Sequence, residues 1–161
     1  MNKLKGILDK TLITSSSLLL IVMVIFSIWQ VIARYVLNIS SPGTEESIRY
    51  LLIWFGLLSA AYVFGAKKHI AILFFREKFN VKTQFLFERT TDVFILLFAA
   101  ILMIYGGIKI VMLTSGQTAA ATGISLGVVY AALPTSGVFI IIYTIYSMMT
   151  NKLSEKEEVG V

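Results

Sequence analysis

The sequence contains no cysteine and only one histidine, His69, among its 161 residues. Without cysteine, disulfides, thiolate metal sites and thiol catalysis are all excluded. A single histidine is too few for a zinc cluster or for a haem site built from several histidines. We therefore expect no catalytic residue, no metal site and no cofactor in this chain.

Charged residues are also few, at 14% of the chain, whereas hydrophobic residues make up 57% and the mean hydropathy is +0.84. A soluble domain of this length could not bury so much apolar side chain, because its surface is too large for its volume. The composition therefore predicts an integral membrane protein. The net charge of +5 does not indicate nucleic acid, since basic residues of membrane chains usually gather on the cytoplasmic side.

Long apolar segments predict an all-α fold with four transmembrane helices, because about 20 apolar residues cross the hydrocarbon core. The predicted spans cover about residues 11–33, 46–67, 92–113 and 126–149. The first is interpreted as a retained span, since it is too long for the apolar part of a signal peptide and has no small-residue cleavage site. Residues 1–150 would form one transmembrane domain, followed by a polar cytoplasmic tail at 151–161.

The distribution of lysine and arginine predicts the orientation. Basic residues precede the first span, fill the segment between the second and third, and follow the fourth. The opposite side holds only Arg34, Arg49 and Lys109. The positive-inside rule then places both termini and the middle segment in the cytoplasm.

The middle segment mixes phenylalanines with basic residues between Lys67 and Arg89. Such a mixture suits an amphipathic segment in the lipid headgroup layer, with rings toward the hydrocarbon and cations toward anionic lipid. We expect Arg76, Lys78 and Lys82 to contact phospholipid.

Charged side chains lie at the ends of the predicted spans. The first and fourth spans carry no ionisable group except tyrosine, the second has Arg49 close to its start, and the third has Asp92 and Lys109 at its two ends. These positions favour anchoring at the interface over a buried proton or ion relay.

The stretch SPGTEESIRYLLIW (41–54) places two carboxylates and an arginine at the start of the second span. Thr44 is predicted to cap the helix, with Glu45 and Glu46 in the first turn, where the helix dipole favours carboxylates. Arg49 follows Glu45 by four residues and Glu46 by three, so either pair can meet on one helix face. Two interpretations stay open: a capped helix start with a local ion pair, or a contact with a partner protein.

Further along the second span, Trp54 is predicted to pack on a neighbouring helix or to face lipid. Gly56 and Ala60 have the spacing of small residues that lets two helices approach closely. The loop Gly116–Gly123 is uncharged and glycine-rich, and is interpreted as an ordinary outward loop or a docking surface. Pro134 is expected to kink the last span.

Several of these stretches occur in an order that resembles a known family. They are RYVLN (34–38), Glu46, RYLLIWFGLLSAAYVFGAKKHI (49–70) and GQTAAATGISLGVVYAALPTSG (116–137). Together they are similar to the small permease subunit of TRAP transporters, the tripartite ATP-independent periplasmic uptake systems of bacteria. The resemblance extends over nearly the whole chain.

The resemblance implies a division of labour in the bacterial inner membrane. A periplasmic substrate-binding protein would capture an organic acid such as sialic acid or a C4-dicarboxylate. A large membrane subunit would carry substrate and sodium by an elevator movement, so both are expected on that subunit. This chain would brace the scaffold of the large subunit and help to dock the binding protein. The implied partners are these two proteins and phospholipid, with no nucleic acid.

Under this interpretation, the candidate partner contacts lie at the start of the second span, along it and at its cytoplasmic end. They are Glu45, Glu46, Arg49, Trp54, Gly56, Ala60, Lys67, Lys68 and His69.

Alternative functions need residues that these spans do not offer. A stand-alone small four-span exporter requires a carboxylate inside the membrane, and residues 11–33 contain none. A membrane enzyme requires a nucleophile with a base, or cofactor ligands. A membrane assembly protein is a further alternative to the transporter subunit.

Overall fold

The computed structural model describes residues 2–65 and 81–159 of the chain. Its helices are α1 (Asn2–Tyr35), α2 (Pro42–Gly65), α3 (Val81–Phe98), a π-helix (Ala99–Gly106), α4 (Gly107–Thr114), α5 (Leu126–Tyr130) and α6 (Ala132–Val159). Within these ranges there is no β-strand, only an isolated bridge between Thr118 and Ser125. The all-α class is therefore confirmed.

Four helical segments among the described residues are long and apolar enough to cross a membrane. Span 1 is Lys5–Tyr35, span 2 is Pro42–Phe64, span 3 is Arg89–Thr114 and span 4 is Leu126–Met149. The number of spans agrees with the prediction. The orientation of the termini stays a prediction, and the expected amphipathic segment lies mostly outside the described residues.

Span 2 starts earlier than its hydropathy suggests. Helix α2 begins at Pro42, whose fixed φ suits the first helical position and whose missing N–H costs nothing there. The Ser41 carbonyl accepts the N–H groups of Thr44 (3.2 Å) and Glu45 (3.3 Å), and the hydroxyls of Ser41 and Thr44 lie 2.5 Å apart. Thr44 therefore lies within the first turn, and the prediction that it caps the helix is wrong.

The spans pack in the order 1, 2, 4, 3. Helix α1 packs on α2, α2 packs on α6, and α6 packs on α3 and the π-helix. In span 4, 39% of the most apolar stretch is buried, against 11%, 11% and 17% in spans 1, 2 and 3. Span 4 is thus the central helix, and spans 1 and 3 lie at the two edges with much of their apolar surface exposed.

The core lies where span 4 meets spans 1, 2 and 3, and a hydrogen bond closes it at one end. Its buried residues include Leu12, Leu58, Met103 and Tyr143. The Tyr143 hydroxyl donates to Asp9 Oδ1 at 2.6 Å, which links the edge helix α1 to the central helix. Because a buried hydroxyl needs a partner in an apolar surrounding, this contact favours one relative position of the two helices.

Span 4 is interrupted at Ala131, between α5 and α6. Pro134 has no N–H to donate to the carbonyl four residues earlier. Ala131 keeps right-handed helical dihedrals, with φ −60° and ψ −17°, so the chain continues from α5 into α6 without a change of hand. The kink expected at Pro134 stays a prediction.

Two glycines allow span 3 to approach span 4 closely. A Cβ at Gly107 would lie 2.9 Å from Pro134 Cδ, and a Cβ at Gly137 would lie 2.9 Å from Met103 Cβ. Real side chains essentially never come so close. The spans can therefore pack at this distance only because both positions lack a side chain.

We expect Gly137→Ala to destabilise the isolated chain. The added methyl group must displace Met103, which costs about 1–3 kcal/mol, less the roughly 1 kcal/mol by which alanine favours a helix. Unfolding of the purified chain in mixed detergent micelles measures the effect. Gly56→Ala is the matched control, because a Cβ at Gly56 would meet nothing within 4 Å. Equal stabilities of the two variants would contradict the close contact.

Candidate functional site

A compact loop, residues 115–125, joins span 3 to span 4. The Ala119 N–H donates to the Ile124 carbonyl at 2.9 Å, and the Gly123 N–H donates to the Ala119 carbonyl at 3.0 Å. Gly123 has a φ of 69°, a left-handed conformation that glycine adopts without strain. Ala119 is buried beneath the turn, so the 115–125 loop has a defined shape of its own.

Glu46 binds this loop from the first turns of α2. Its Oε2 accepts hydrogen bonds from the Thr122 N–H (2.8 Å), the Ala121 N–H (3.1 Å) and the Thr122 hydroxyl (2.9 Å). Gly43 lies close by, since a Cβ there would be 3.9 Å from the Ala121 carbonyl oxygen. An ionised carboxylate accepts all three bonds without needing a donor in return. Glu46 therefore connects the start of span 2 to a loop 75 and 76 positions further along the chain.

The neighbouring carboxylate has a different role. Glu45 Oε1 pairs with Arg49 Nη2 at 3.4 Å, and the two side chains are 59% and 69% exposed. Such an exposed pair contributes little to stability, because water competes for both charges. Of the two pairings predicted for Arg49, the structure contains the one with Glu45.

Glu45 and Arg49 belong to an exposed stripe along α2. Together with Leu52, Gly56 and Val63 they recur at intervals of three, four and seven residues, which lie on one helix face. We call these five residues the α2 stripe. Gly56 forms an open notch in the stripe, since a Cβ added there would meet nothing within 4 Å apart from the backbone of its own helix turn.

The other predicted contacts fall in different surroundings. Trp54 is partly buried against the core of the chain itself, and Ala60 is half-buried. Five predicted sites lie outside the described residues: Lys67, Lys68, His69, Arg76 and Lys78. Lys82 lies at the start of α3, where only the backbone is described.

The sequence interpretation missed the residues that bind Glu46. Two of the donors are backbone N–H groups, which any residue type supplies, so no sequence signal marks Ala121. Asp9, which binds Tyr143, was also missed. Its signal was visible, because it is an acidic residue directly before a long apolar span.

The polar groups at this end of the bundle hold parts of the chain in place. In the described parts of the chain, no three histidine, aspartate or glutamate side chains gather into a potential metal site. What the arrangement provides is a polar contact that holds a loop against a helix start. We call this end of the bundle the loop end.

The four apolar spans and the polar contacts at their ends define a multi-pass membrane protein. A comparison with family models places it more closely. The model of the DctQ component of tripartite ATP-independent periplasmic transporters matches residues 23–152, so the chain belongs to this family. A comparison with curated proteins gave no match. The resemblance noted in the sequence is thereby confirmed.

Membership of this family defines the setting of the chain. It is the small subunit of a TRAP transporter, and it works with a large membrane subunit and a substrate-binding protein. The family is a transporter component and not an enzyme family.

We expect Glu46→Gln to loosen the 115–125 loop. The neutral amide offers a weaker acceptor to three donors and introduces an NH₂ group that cannot accept. Hydrogen exchange measured by mass spectrometry should show several-fold faster exchange at the amides of Ala121 and Thr122. Glu45→Gln removes the same charge one position earlier and should leave this exchange unchanged. Equal protection in wild type and Glu46→Gln would refute the role of the contact.

Proposed function

We propose that this subunit braces the scaffold of the large subunit during sodium-coupled uptake of an organic acid, and that it helps to dock the substrate-binding protein. The observation that carries the proposal is the contact between Glu46 and the 115–125 loop. It joins two distant parts of the chain into one pre-shaped surface at the loop end.

A pre-shaped loop suits docking. Much of the loop surface is exposed, including Gln117, Ala120 and Ala121, while its backbone is held by internal bonds and by Glu46. A partner that binds such a surface loses less free energy to ordering it than it would with a flexible loop. The predicted orientation places this surface on the periplasmic side, where the binding protein is expected.

The bracing role is supported by the α2 stripe. An open glycine between Leu52 and Val63 offers room for the backbone of a second helix, and close packing of this kind drives helix association in membranes. The stripe begins with Glu45 and Arg49 at the loop end, so polar groups are available where the two subunits would leave the hydrocarbon. We propose the large subunit as its occupant.

Transport itself is assigned to the large subunit. Between Lys10 and Arg34, between Arg49 and Phe64, between Asp92 and Lys109, and throughout span 4, there is no charged residue. Binding a carboxylate substrate together with sodium at mid-membrane favours compensating charged side chains, and these stretches contain none. The family resemblance suggests sialic acid or a C4-dicarboxylate as substrate, and the bacterial inner membrane as location.

We expect Gly56→Leu to weaken association with the large subunit. A leucine would fill the notch without disturbing the chain itself, because the position is open. Affinity purification from native membranes, followed by mass spectrometry, should recover the large subunit with wild type and several-fold less with the variant. Gly6→Leu is the matched control, since Gly6 is also open and lies near the start of α1.

Two results would contradict the bracing role. One is recovery of the tagged wild-type chain without any large membrane partner. The other is sodium-driven carboxylate uptake into liposomes that contain this chain alone, which would favour a stand-alone transporter.

We expect Glu46→Ala and Arg49→Ala each to lower uptake in whole cells. The first variant frees the loop and the second removes the exposed cation of the α2 stripe. Uptake of radiolabelled sialic acid and of labelled succinate, in a deletion strain that carries each variant, measures the effect. If uptake and complex yield are unchanged in both variants, these residues only stabilise the start of the helix.

A further inference from the structure

A polar cleft of about 400 Å³ opens between the end of α1 and the start of α2. Residues from both helices and from the turn between them line it: Gln30, Arg34, Asn38, Ser40, Ser41 and Glu45. Glu45 also begins the α2 stripe, but the other residues of the cleft belong to neither the bracing surface nor the docking surface, so the ligand of the cleft is a separate question.

The turn between the helices gives the cleft its shape. Asn38 has a φ of 51°, in the left-handed region that asparagine tolerates better than most residues. The Ile39 N–H then donates to the Ala33 carbonyl at 2.9 Å, which ends α1 with a bond across six residues. This reversal brings Ser40 and Ser41 into the same cleft as Arg34.

The cleft presents a cation and an anion from different helices. Within the described residues, Arg34 has no hydrogen-bonding or ion-pair partner. Glu45 uses Oε1 for Arg49 and has no partner for Oε2 in the same part of the chain. The chemistry therefore fits a ligand with both an anionic group for Arg34 and an ammonium group for Glu45.

Apolar Ile39 also lines the cleft, and the neighbouring stretch of the chain exposes further apolar and aromatic side chains. Val36, Leu37 and Ile39 are exposed on the turn, and Trp29 and Tyr35 are exposed on the last turns of α1. Exposed tryptophan and tyrosine at the end of a span mark the boundary between hydrocarbon and headgroups. A ligand at this depth has its polar part in the cleft and its apolar part against span 1.

We propose that the cleft binds the headgroup of an aminophospholipid, with phosphatidylethanolamine as the natural representative. Arg34 binds the phosphate, together with the amide of Asn38 and the hydroxyl of Ser41, and Glu45 accepts a hydrogen bond from the primary ammonium. The acyl chains lie along the exposed face of α1. This site is at the loop end and differs in chemistry from the anionic-lipid contacts expected of the middle segment.

Native mass spectrometry of the full chain in detergent tests the proposal with three added lipids. They are phosphatidylethanolamine, phosphatidylglycerol and phosphatidylcholine with identical acyl chains. Wild type should bind phosphatidylethanolamine most tightly, because only this lipid offers both a phosphate and a primary ammonium. Equal binding of all three lipids would overturn the proposal.

Two variants test the contributions of Arg34 and Glu45 to lipid binding separately. Arg34→Gln should weaken binding of both phosphatidylethanolamine and phosphatidylglycerol by about tenfold, since each loses a charge-assisted bond to phosphate. Glu45→Gln should weaken phosphatidylethanolamine alone by a similar factor. Lys109→Gln, which removes an exposed cation of span 3 positioned over Tyr105, is the control and should change neither.

Further measurements test whether a soluble anion or a protein, instead of this lipid, occupies the cleft. Arg34→Lys keeps the positive charge and should retain most of the binding, which tests the site even if Arg34→Gln folds poorly. Inorganic phosphate at millimolar concentration should not displace the lipid; displacement would indicate a site for a soluble anion and overturn the lipid assignment. If Arg34→Gln reduces recovery of the large subunit but leaves phosphatidylethanolamine binding unchanged, the cleft is a protein contact and the proposal is wrong.

Discussion

The carboxylate of Glu46 connects regions of the chain that the sequence separates by more than 70 residues. One oxygen accepts two backbone N–H groups and a hydroxyl of the 115–125 loop, so the start of span 2 and the connection between spans 3 and 4 become one unit. Two further polar features of the loop end lie beside this contact. The position of α2 against the loop determines where Glu45 and Arg49 are presented, and the turn before α2 forms the polar cleft.

The interior of the bundle depends on shape more than on polar contacts. Gly107 and Gly137 let span 3 approach the central span 4, and small buried residues such as Ala61 and Ser136 let the neighbours of span 4 pack closely. At the end opposite the loop, the bond between Tyr143 and Asp9 ties span 1 to the same helix. The outcome is a row of helices with one well-packed centre and two broad apolar edges, which suits a subunit that is completed by lipid and by a larger partner.

The proposed function follows from the separation of polar and apolar features along the membrane normal. Charge is confined to the ends of the spans, so the middle of each span offers no charged ligand for sodium or for a carboxylate substrate. The ends, by contrast, carry a shaped loop, an exposed ion pair and a cleft with charges of both signs. On the proposed function, a small TRAP subunit built in this way contributes surfaces, and the transport site is expected on the partner subunit.

Hydropathy alone was enough to predict the class, the number of spans and their approximate positions, because crossing the hydrocarbon core demands long charge-free helices. The order of local motifs also indicated the family. Helical spacing limited the partner of Arg49 to Glu45 or Glu46, and the structure contains the pair with Glu45. Only the tertiary structure decided three other features. They are the contact of Glu46 with Thr122, the close helix approach at Gly107 and Gly137, and the bond between Asp9 and Tyr143. The residues that meet in these features are distant in sequence. Several contribute only a backbone N–H or the lack of a side chain, and such contributions matter only once the helices that come together are known.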